Sequence, residues 1–354
     1  MSASAWAALL LISLLWLGGC SERLPADAML VDYQQRVARV LDIDAPTPVS
    51  PPNFAALPAR DARLFELETL RAGLLDVYAL RQCGIVSLVA AHNNQLGKVA
   101  PASRQWVYEL TLWRALQQCA HSDVPSHLSA GDRENLKRFT AIKTAQLPRV
   151  SWNALFETDE WIENFSRTAL PIAPHEALPM TASIQALDYL RFVSAHQFDT
   201  HWQPDIAVLE AHLQRLDNNP LSARLLRSLL LTTQRLNELS NAMQKRLDER
   251  PICYKGHSNP RADILHNVFI AYYAGRVQPY LAQLQRSGQT WFTAVDALFD
   301  VQTVSRPAVE HYRAQWLSLD NPAAPWQRFQ QAMARHIGLW QQIWRDCGMM
   351  PGAA

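Results

Sequence analysis

Residues 83–119 read CGIVSLVAAHNNQLGKVAPASRQWVYELTLWRALQQC, which is two helical patterns bracketed by cysteines. From Ile85 to Leu96 the aliphatic residues recur at the spacing that places one face of a helix in a core. Gly97 stands where a left-handed residue ends a helix at little cost, and Ser103 is suited to cap the helix that follows. The sequence therefore predicts a helical hairpin. Its second helix is expected to bury an apolar stripe formed by Trp106, Leu110, Trp113 and Leu116.

The turn between the two helical patterns is rich in polar residues. Four of them are candidates for a binding surface: His92, Asn93, Asn94 and Lys98. The alternative is a solvated helix end, where asparagine is favoured because it tolerates left-handed geometry. A recognition surface requires these side chains to lie exposed together beside a concavity, whereas burial of all four would make them structural.

The amino-terminal segment has the pattern of an export signal. An apolar run from Ala5 to Leu17 is too short to span a membrane and has the length of a signal-peptide core. The tetrapeptide Leu17-Gly18-Gly19-Cys20 resembles a bacterial lipobox. That resemblance implies cleavage after residue 19, a diacylglyceryl thioether on Cys20 and acylation, for example by palmitate, of the new amino terminus. Residues 2–6 contain no lysine or arginine, which departs from the pattern of such signals and leaves a misplaced start codon as one explanation. The alternative to the lipobox is an ordinary secretory signal with a chance cysteine.

The expected location is the periplasmic face of the outer membrane, to which the lipid on Cys20 would hold the protein. Ser21 stands after the cysteine, and in the sorting logic of such lipoproteins the absence of aspartate there favours the outer membrane. The formal net charge is only +1, so nothing indicates a nucleic-acid partner.

Four cysteines remain after Cys20. An even number in an oxidising compartment predicts two disulfides, with three possible pairings. We expect the pairs Cys83–Cys119 and Cys253–Cys347, because the first flanks one hairpin and the second fastens the last helix to the second half of the chain.

The fold class expected from the periodicities is all-α, a bundle of about ten helices after the signal peptide. Only 12 glycines argue against a β-rich chain or a dinucleotide-binding fold. Besides the hairpin, helices are predicted over residues 26–44, 60–82, 131–147, 151–165, 180–201, 260–281, 306–319 and 325–347. Pro204 opens a further helix, and Asn219-Pro220 starts a long one that reaches about Asp248. Pro279 is expected to kink its helix opposite Gly275.

The predicted organisation has four parts. Residues 1–19 form the signal peptide, and residues 20–58 carry the lipid anchor, the first helix and a proline-rich connector. An amino-terminal helical subdomain covers residues 59–170, and a carboxy-terminal one covers residues 171–354. The prolines of residues 168–180 mark the boundary between them.

No catalytic motif is present, so catalytic residues stay unassigned. The chain lacks the GxSxG, Walker, GxGxxG and HExxH patterns. His196 and Asp199 share a helix face, but two ligands do not make a metal site. We therefore predict no metal and no cofactor.

The segment CGIVSLVAAHNNQLGKVAPAS, the tyrosine–glutamate helix ending at Cys119 and the segment ILHNVFIAYYAGRVQPYLAQL together resemble an uncharacterised family of Gram-negative lipoproteins, a domain of unknown function. His92 departs from the pattern of that family, in which arginine precedes the first asparagine. The resemblance covers most of the mature chain and implies no activity, cofactor or substrate.

The function favoured by these observations is non-enzymatic: binding or scaffolding in the cell envelope, with an envelope protein as a possible partner. An envelope hydrolase or transferase without a recognisable motif is the alternative. A small-ligand carrier is a third hypothesis, which requires an apolar pocket between helices.

Overall fold

The computed structural model describes residues 25–68, 73–254 and 256–350, so the predicted signal peptide and the predicted lipidation site at Cys20 lie outside the described residues. The α-helices are α1 Pro25–Leu41, α2 Arg60–Arg63, α3 Leu74–Ala79, α4 Ile85–Asn93, α5 Gln95–Lys98, α6 Ala102–Ala120, α7 Val124–His127, α8 Ala130–Phe156, α9 Asp159–Glu163, α10 Met180–Ala195, α11 Ile206–Asp217, α12 Leu221–Glu249, α13 Pro260–Val268, α14 Gln278–Asp300, α15 Pro307–Tyr312 and α16 Pro325–Asp346. A 3₁₀ turn spans Arg81–Cys83, and π-helical segments span Phe269–Val277 and Arg313–Leu317. The described residues contain no strand, which confirms the all-α prediction.

Helix α6 is central to the amino-terminal half. Its predicted stripe of Trp106, Leu110, Trp113 and Leu116 is buried. The helix packs most extensively along α8, and less so on α4, the expected hairpin partner. Two indoles explain the preference for α8, because Trp106 donates to Ser151 Oγ and Trp113 to Thr144 Oγ1, each over 2.9 Å. Burying an indole requires such an acceptor, and only α8 supplies it.

The single helix predicted over residues 60–82 is wrong. Helix α2 ends at Arg63, and Leu64 is already extended, with α3 beginning only at Leu74. The side chain of Asn153 on α8 binds both backbone groups of Phe65, donating to its carbonyl and accepting from its amide over 2.8 Å each. These bonds replace the helical ones, so the chain runs extended across α8 despite its helical periodicity.

Two predicted helix boundaries in the opening stretch are also wrong. Gly97 does not end a helix in a left-handed conformation; it lies inside α5, where an added Cβ would come within 2.3 Å of the carbonyl oxygen of His92. The glycine is therefore needed for close packing. Ser103 lies buried in the first turn of α6, and Pro101 occupies the cap position in its place.

The predicted break between residues 147 and 151 is absent as well. Helix α8 continues through Pro148 to Phe156. Proline removes one backbone donor but leaves the packing stripes intact, and Leu147 and Val150 on either side of it are buried. Pro279 behaves differently: a π-helical segment precedes it and contains Gly275, the residue opposite which a kink was expected.

Helix α12 crosses the middle of the molecule. It packs against α1, α14 and α16. Its apolar stripe of Leu225, Leu229, Thr232, Leu236, Leu239 and Met243 is completely buried. The main hydrophobic core draws residues from both sides of the predicted boundary at 170 and 171. A separate small cluster, here called the satellite core, contains residues of 77–139 only, among them Val77, Ile85, Leu116 and Phe139.

Both disulfides have the predicted pairing. Cys83 and Cys119 join the turn before α4 to the end of α6, with Cα atoms 5.1 Å apart. Cys253 and Cys347 join the turn after α12 to the end of α16, with Cα atoms 5.0 Å apart. In the described ranges, no helix is both long enough and apolar enough to cross a bilayer.

Candidate functional site

A mostly apolar cavity of about 660 Å³ lies between the α3–α4 segment and helices α6 and α8. Most of the buried part of its wall is the satellite core, contributed by Val77, Ile85, Leu112, Leu116 and Phe139, and Val150 of the main core adds to it. A volume of this size is within the range of pockets that bind small molecules, roughly 300–1,000 Å³. The cavity therefore has the dimensions of a ligand site.

The mouth of the cavity exposes large apolar side chains. Leu74 and Leu75 at the start of α3 are 84% and 82% exposed, and Tyr78 one turn later is 58% exposed. Single exposed leucines are ordinary, but several around one concavity mark an interaction surface.

One ion pair lines the apolar wall. Lys143 Nζ on α8 donates to both carboxylate oxygens of Glu109 on α6, over 2.9 and 2.7 Å. The side chains of Lys143 and Glu109 are only 12% and 18% exposed. Removing such charges from water is costly unless they are paired, as they are here. Because the two residues are 34 positions apart on different helices, their pairing has no signal in a single sequence.

Tyr108 and His92 form a second polar feature of the wall. Their rings stack with centroids 4.0 Å apart and an angle of 4° between the planes. Burial, followed by the charge of Glu109, raises the pKa of Tyr108 well above its ordinary value. The phenol is therefore uncharged at physiological pH and acts only as a neutral hydrogen-bonding group.

The four candidate residues of the polar turn have different surroundings in the structure. His92 is half-buried and Asn93 is exposed, and both line the cavity. Asn94 has a structural task, because its side chain accepts the backbone N–H of Gly97 over 2.8 Å and caps α5. The side chain of Lys98 lies outside the described part of the structure. A recognition role for His92 and Asn93 stays a prediction, now with a concavity beside them.

Other polar candidates are occupied by structural contacts. Asp199 accepts from the backbone of His201, and the pKa of Asp199 is lowered chiefly by that bond. His196 Nδ1 bonds the carbonyl of Phe192 one turn earlier. No group of three metal-ligating side chains occurs within the described ranges.

Glu176 lies in the proline-rich stretch of residues 168–180. Its carboxylate accepts from Arg224 over 2.7 Å and from the backbone of Ala173 over 3.0 Å. The Arg224 hydrogen bond lowers the pKa of Glu176, which therefore stays charged and fastens the loop to α12.

Comparison with protein families gives one match. The model of a family described as a protein of unknown function, DUF3080, matches residues 30–351. The chain belongs to this family. The match covers every described residue that lines the cavity, and it confirms the resemblance to a domain of unknown function. Neither a curated protein nor a solved structure matches the chain.

Proposed function

We propose that this member of the DUF3080 family is an outer-membrane-anchored periplasmic lipoprotein that acts by binding, through the cavity between the α3–α4 segment and helices α6 and α8. The lipobox at Cys20 supports the anchor. The four remaining cysteines are all in disulfides, a use of cysteine that suits an oxidising compartment.

The cavity is the observation that carries the proposal. The cavity lining and the leucines at its mouth present apolar surface that is unfavourable to leave in water. An apolar occupant removes both surfaces from water. Among the ionisable side chains of the lining, Lys143 pairs with Glu109 and Tyr108 stacks on His92, so these groups already have partners within the protein. That engagement suits binding better than nucleophilic catalysis.

Photocrosslinking in the cell tests the proposal. The chain offers a matched pair of exposed tyrosines, since Tyr78 is at the cavity mouth and Tyr254 is 72% exposed in a turn elsewhere. Each is replaced in turn by a benzophenone amino acid in the otherwise unchanged, membrane-anchored protein. Irradiation should give a reproducible adduct, identified by mass spectrometry, from position 78 and none from position 254.

Two outcomes would refute a binding role of the cavity. One is the absence of an adduct at position 78. The other is the same adduct mass from both positions, which would report random collision. Fractionation of the same cells into inner and outer membranes tests the location independently.

A further inference from the structure

We infer that the cavity takes a single-chain amphiphile with an uncharged polar head, of the monoacylglycerol class. This rests on the proposed binding function and assigns it a ligand chemistry. The inference has two parts, one for the apolar chain and one for the head.

The lining favours a flexible aliphatic chain. Most of the apolar side chains around the cavity are leucine, isoleucine or valine, and Phe139 is the phenylalanine among the described lining residues. A rigid aromatic ligand is usually held by aromatic partners at stacking distance, and here the close stack is between His92 and Tyr108, within the protein itself. An alkyl chain adapts to an aliphatic wall and gains about 0.8 kcal/mol for each buried methylene group.

The mouth continues the apolar surface outward. Leu74 and Leu75 are exposed at the end of the same wall that contains Val77. A chain that enters past these leucines meets apolar contacts from the mouth to Val77. A compact polar solute would meet no such continuity.

The ion pair selects the head group. Lys143 is already neutralised by Glu109, so a buried anionic head would have no free counter-charge and would compete with the Glu109 carboxylate. A cationic head would likewise find Glu109 occupied by Lys143. Either ion would lose hydration without compensation.

An uncharged head avoids that loss. Carboxylate oxygens have about four acceptor sites and an ammonium group has three protons, so the pair retains hydrogen-bonding capacity towards hydroxyl and ester groups. Asn93 and Gln146, which also line the cavity, add neutral amides. Hydroxyl and ester groups of a glyceryl head match this set.

The test compares three probes with the same ten-carbon chain: 1-decanoylglycerol, decanoate and decyltrimethylammonium. The protein used is the mature chain without its lipid, residues 21–354 exported behind an ordinary cleavable signal peptide, so that no lipid anchor, apolar leader or detergent competes and both disulfides form. Titration calorimetry below the aggregation concentration of each probe should show 1-decanoylglycerol binding at least tenfold more tightly than either ion. Equal or tighter binding of decanoate or of decyltrimethylammonium would overturn the inference.

Glu109→Gln provides the sharper measurement. It leaves Lys143 without its counter-charge, so decanoate becomes the matching ligand. The ratio of the two dissociation constants, decanoate over 1-decanoylglycerol, should fall by at least tenfold. Glu176→Gln is the matched control, because it removes a carboxylate from an arginine pair outside the cavity and should leave the ratio unchanged. An unchanged ratio in Glu109→Gln would contradict the assigned head-group selection.

Blocking the cavity gives a second, independent readout. Val89→Trp fills the space from α4 and should abolish binding of 1-decanoylglycerol, whereas Val208→Trp on the exposed face of α11 should not. If Val89→Trp does not fold, as judged by circular dichroism, Val86→Trp takes its place. Retention of binding in a folded, blocked variant would refute the site.

The ligand class and the proposed function can fail separately. If no probe binds but position 78 crosslinks a peptide or protein in the cell, the cavity binds and the amphiphile is wrong. If position 78 gives no adduct and no probe binds, both are wrong.

Discussion

His336 should make the stability of the protein fall in mild acid. The side chain is fully buried on α16. Its Nε2 accepts from Tyr33 Oη over 2.7 Å, and Trp340 Nε1 donates to the same Tyr33 oxygen over 2.9 Å. Because the tyrosine oxygen already accepts from the indole, its own proton points to His336. The neutral imidazole therefore carries its proton on Nδ1, facing Ser240 Oγ at 3.0 Å.

A second proton on His336 would bind to Nε2, which already faces two donors, Tyr33 Oη and Trp340 Nε1. Burial, with a smaller contribution from the charge of Arg335, lowers the pKa of His336 to about 3. The unfolded chain has the ordinary value of about 6.5. Below pH 6.5 the unfolded state therefore binds a proton that the folded state refuses, and stability is lost progressively as the pH falls towards 3. Because pH 5 lies about 1.5 pH units below the pKa of the unfolded state, the free energy of unfolding is lower there by about 2 kcal/mol.

Urea unfolding followed by tryptophan fluorescence measures this loss. Unmodified protein is compared with His336→Gln at pH 7.5 and pH 5.0, with both disulfides intact. The difference in free energy of unfolding between the unmodified protein and the variant should decrease by about 2 kcal/mol from pH 7.5 to pH 5.0. His201→Gln is the control, because that side chain is 92% exposed, and its pH profile should follow the unmodified protein. Parallel profiles for His336→Gln and the unmodified protein would refute the burial argument.

Three further predictions concern the anchor, the second disulfide and a buried arginine. Cys20→Ala should leave an uncleaved or soluble precursor, and unchanged membrane fractionation and mass would contradict lipidation. Replacing Cys253 and Cys347 together by serine opens a 94-residue loop and should lower the free energy of unfolding by about 4–5 kcal/mol, measured by urea unfolding and by protease sensitivity of α16. Arg235→Met leaves the carboxylate of Asp27, 2.6 Å from the guanidinium, without its partner and should cost about 3–5 kcal/mol; the double variant with Asp27→Asn should recover part of the loss in the same assay.

The fold class and the long helices could be predicted because their signals are local. The apolar stripe of α12 repeats from Leu225 to Met243, over about five turns, and Pro220 immediately precedes the first residue of the helix. The extended run after Arg63 could not be predicted, because Asn153, more than 80 residues away, supplies the bonds that stop the helix. The pattern of residues 60–82 is helical, and a tertiary contact overrides it.

The candidate site, too, could be predicted from the sequence only in part. The polar turn was visible in sequence because four polar residues interrupt an apolar run, and two of them, His92 and Asn93, line the cavity. The Glu109–Lys143 pair and the buried His336 were missed, because each depends on a residue from a different helix. A lone histidine on a helix gives no sign of whether it meets water or a tyrosine hydroxyl.

The first disulfide explains how a cavity can persist beside α4. A helix normally stays attached by burying its apolar face, but Val86 and Val89 line the cavity and are only half-buried, while Ile85 is the buried residue of α4. The packing energy that holds this helix is correspondingly small. Cys83 is separated from the start of α4 only by Gly84, which has a left-handed conformation. The Cys83–Cys119 bond therefore fixes the start of this helix to the end of α6, regardless of what fills the space between them. The proposed binding function needs such an attachment, because an occupant that enters or leaves the cavity would otherwise change the small packing energy that holds α4.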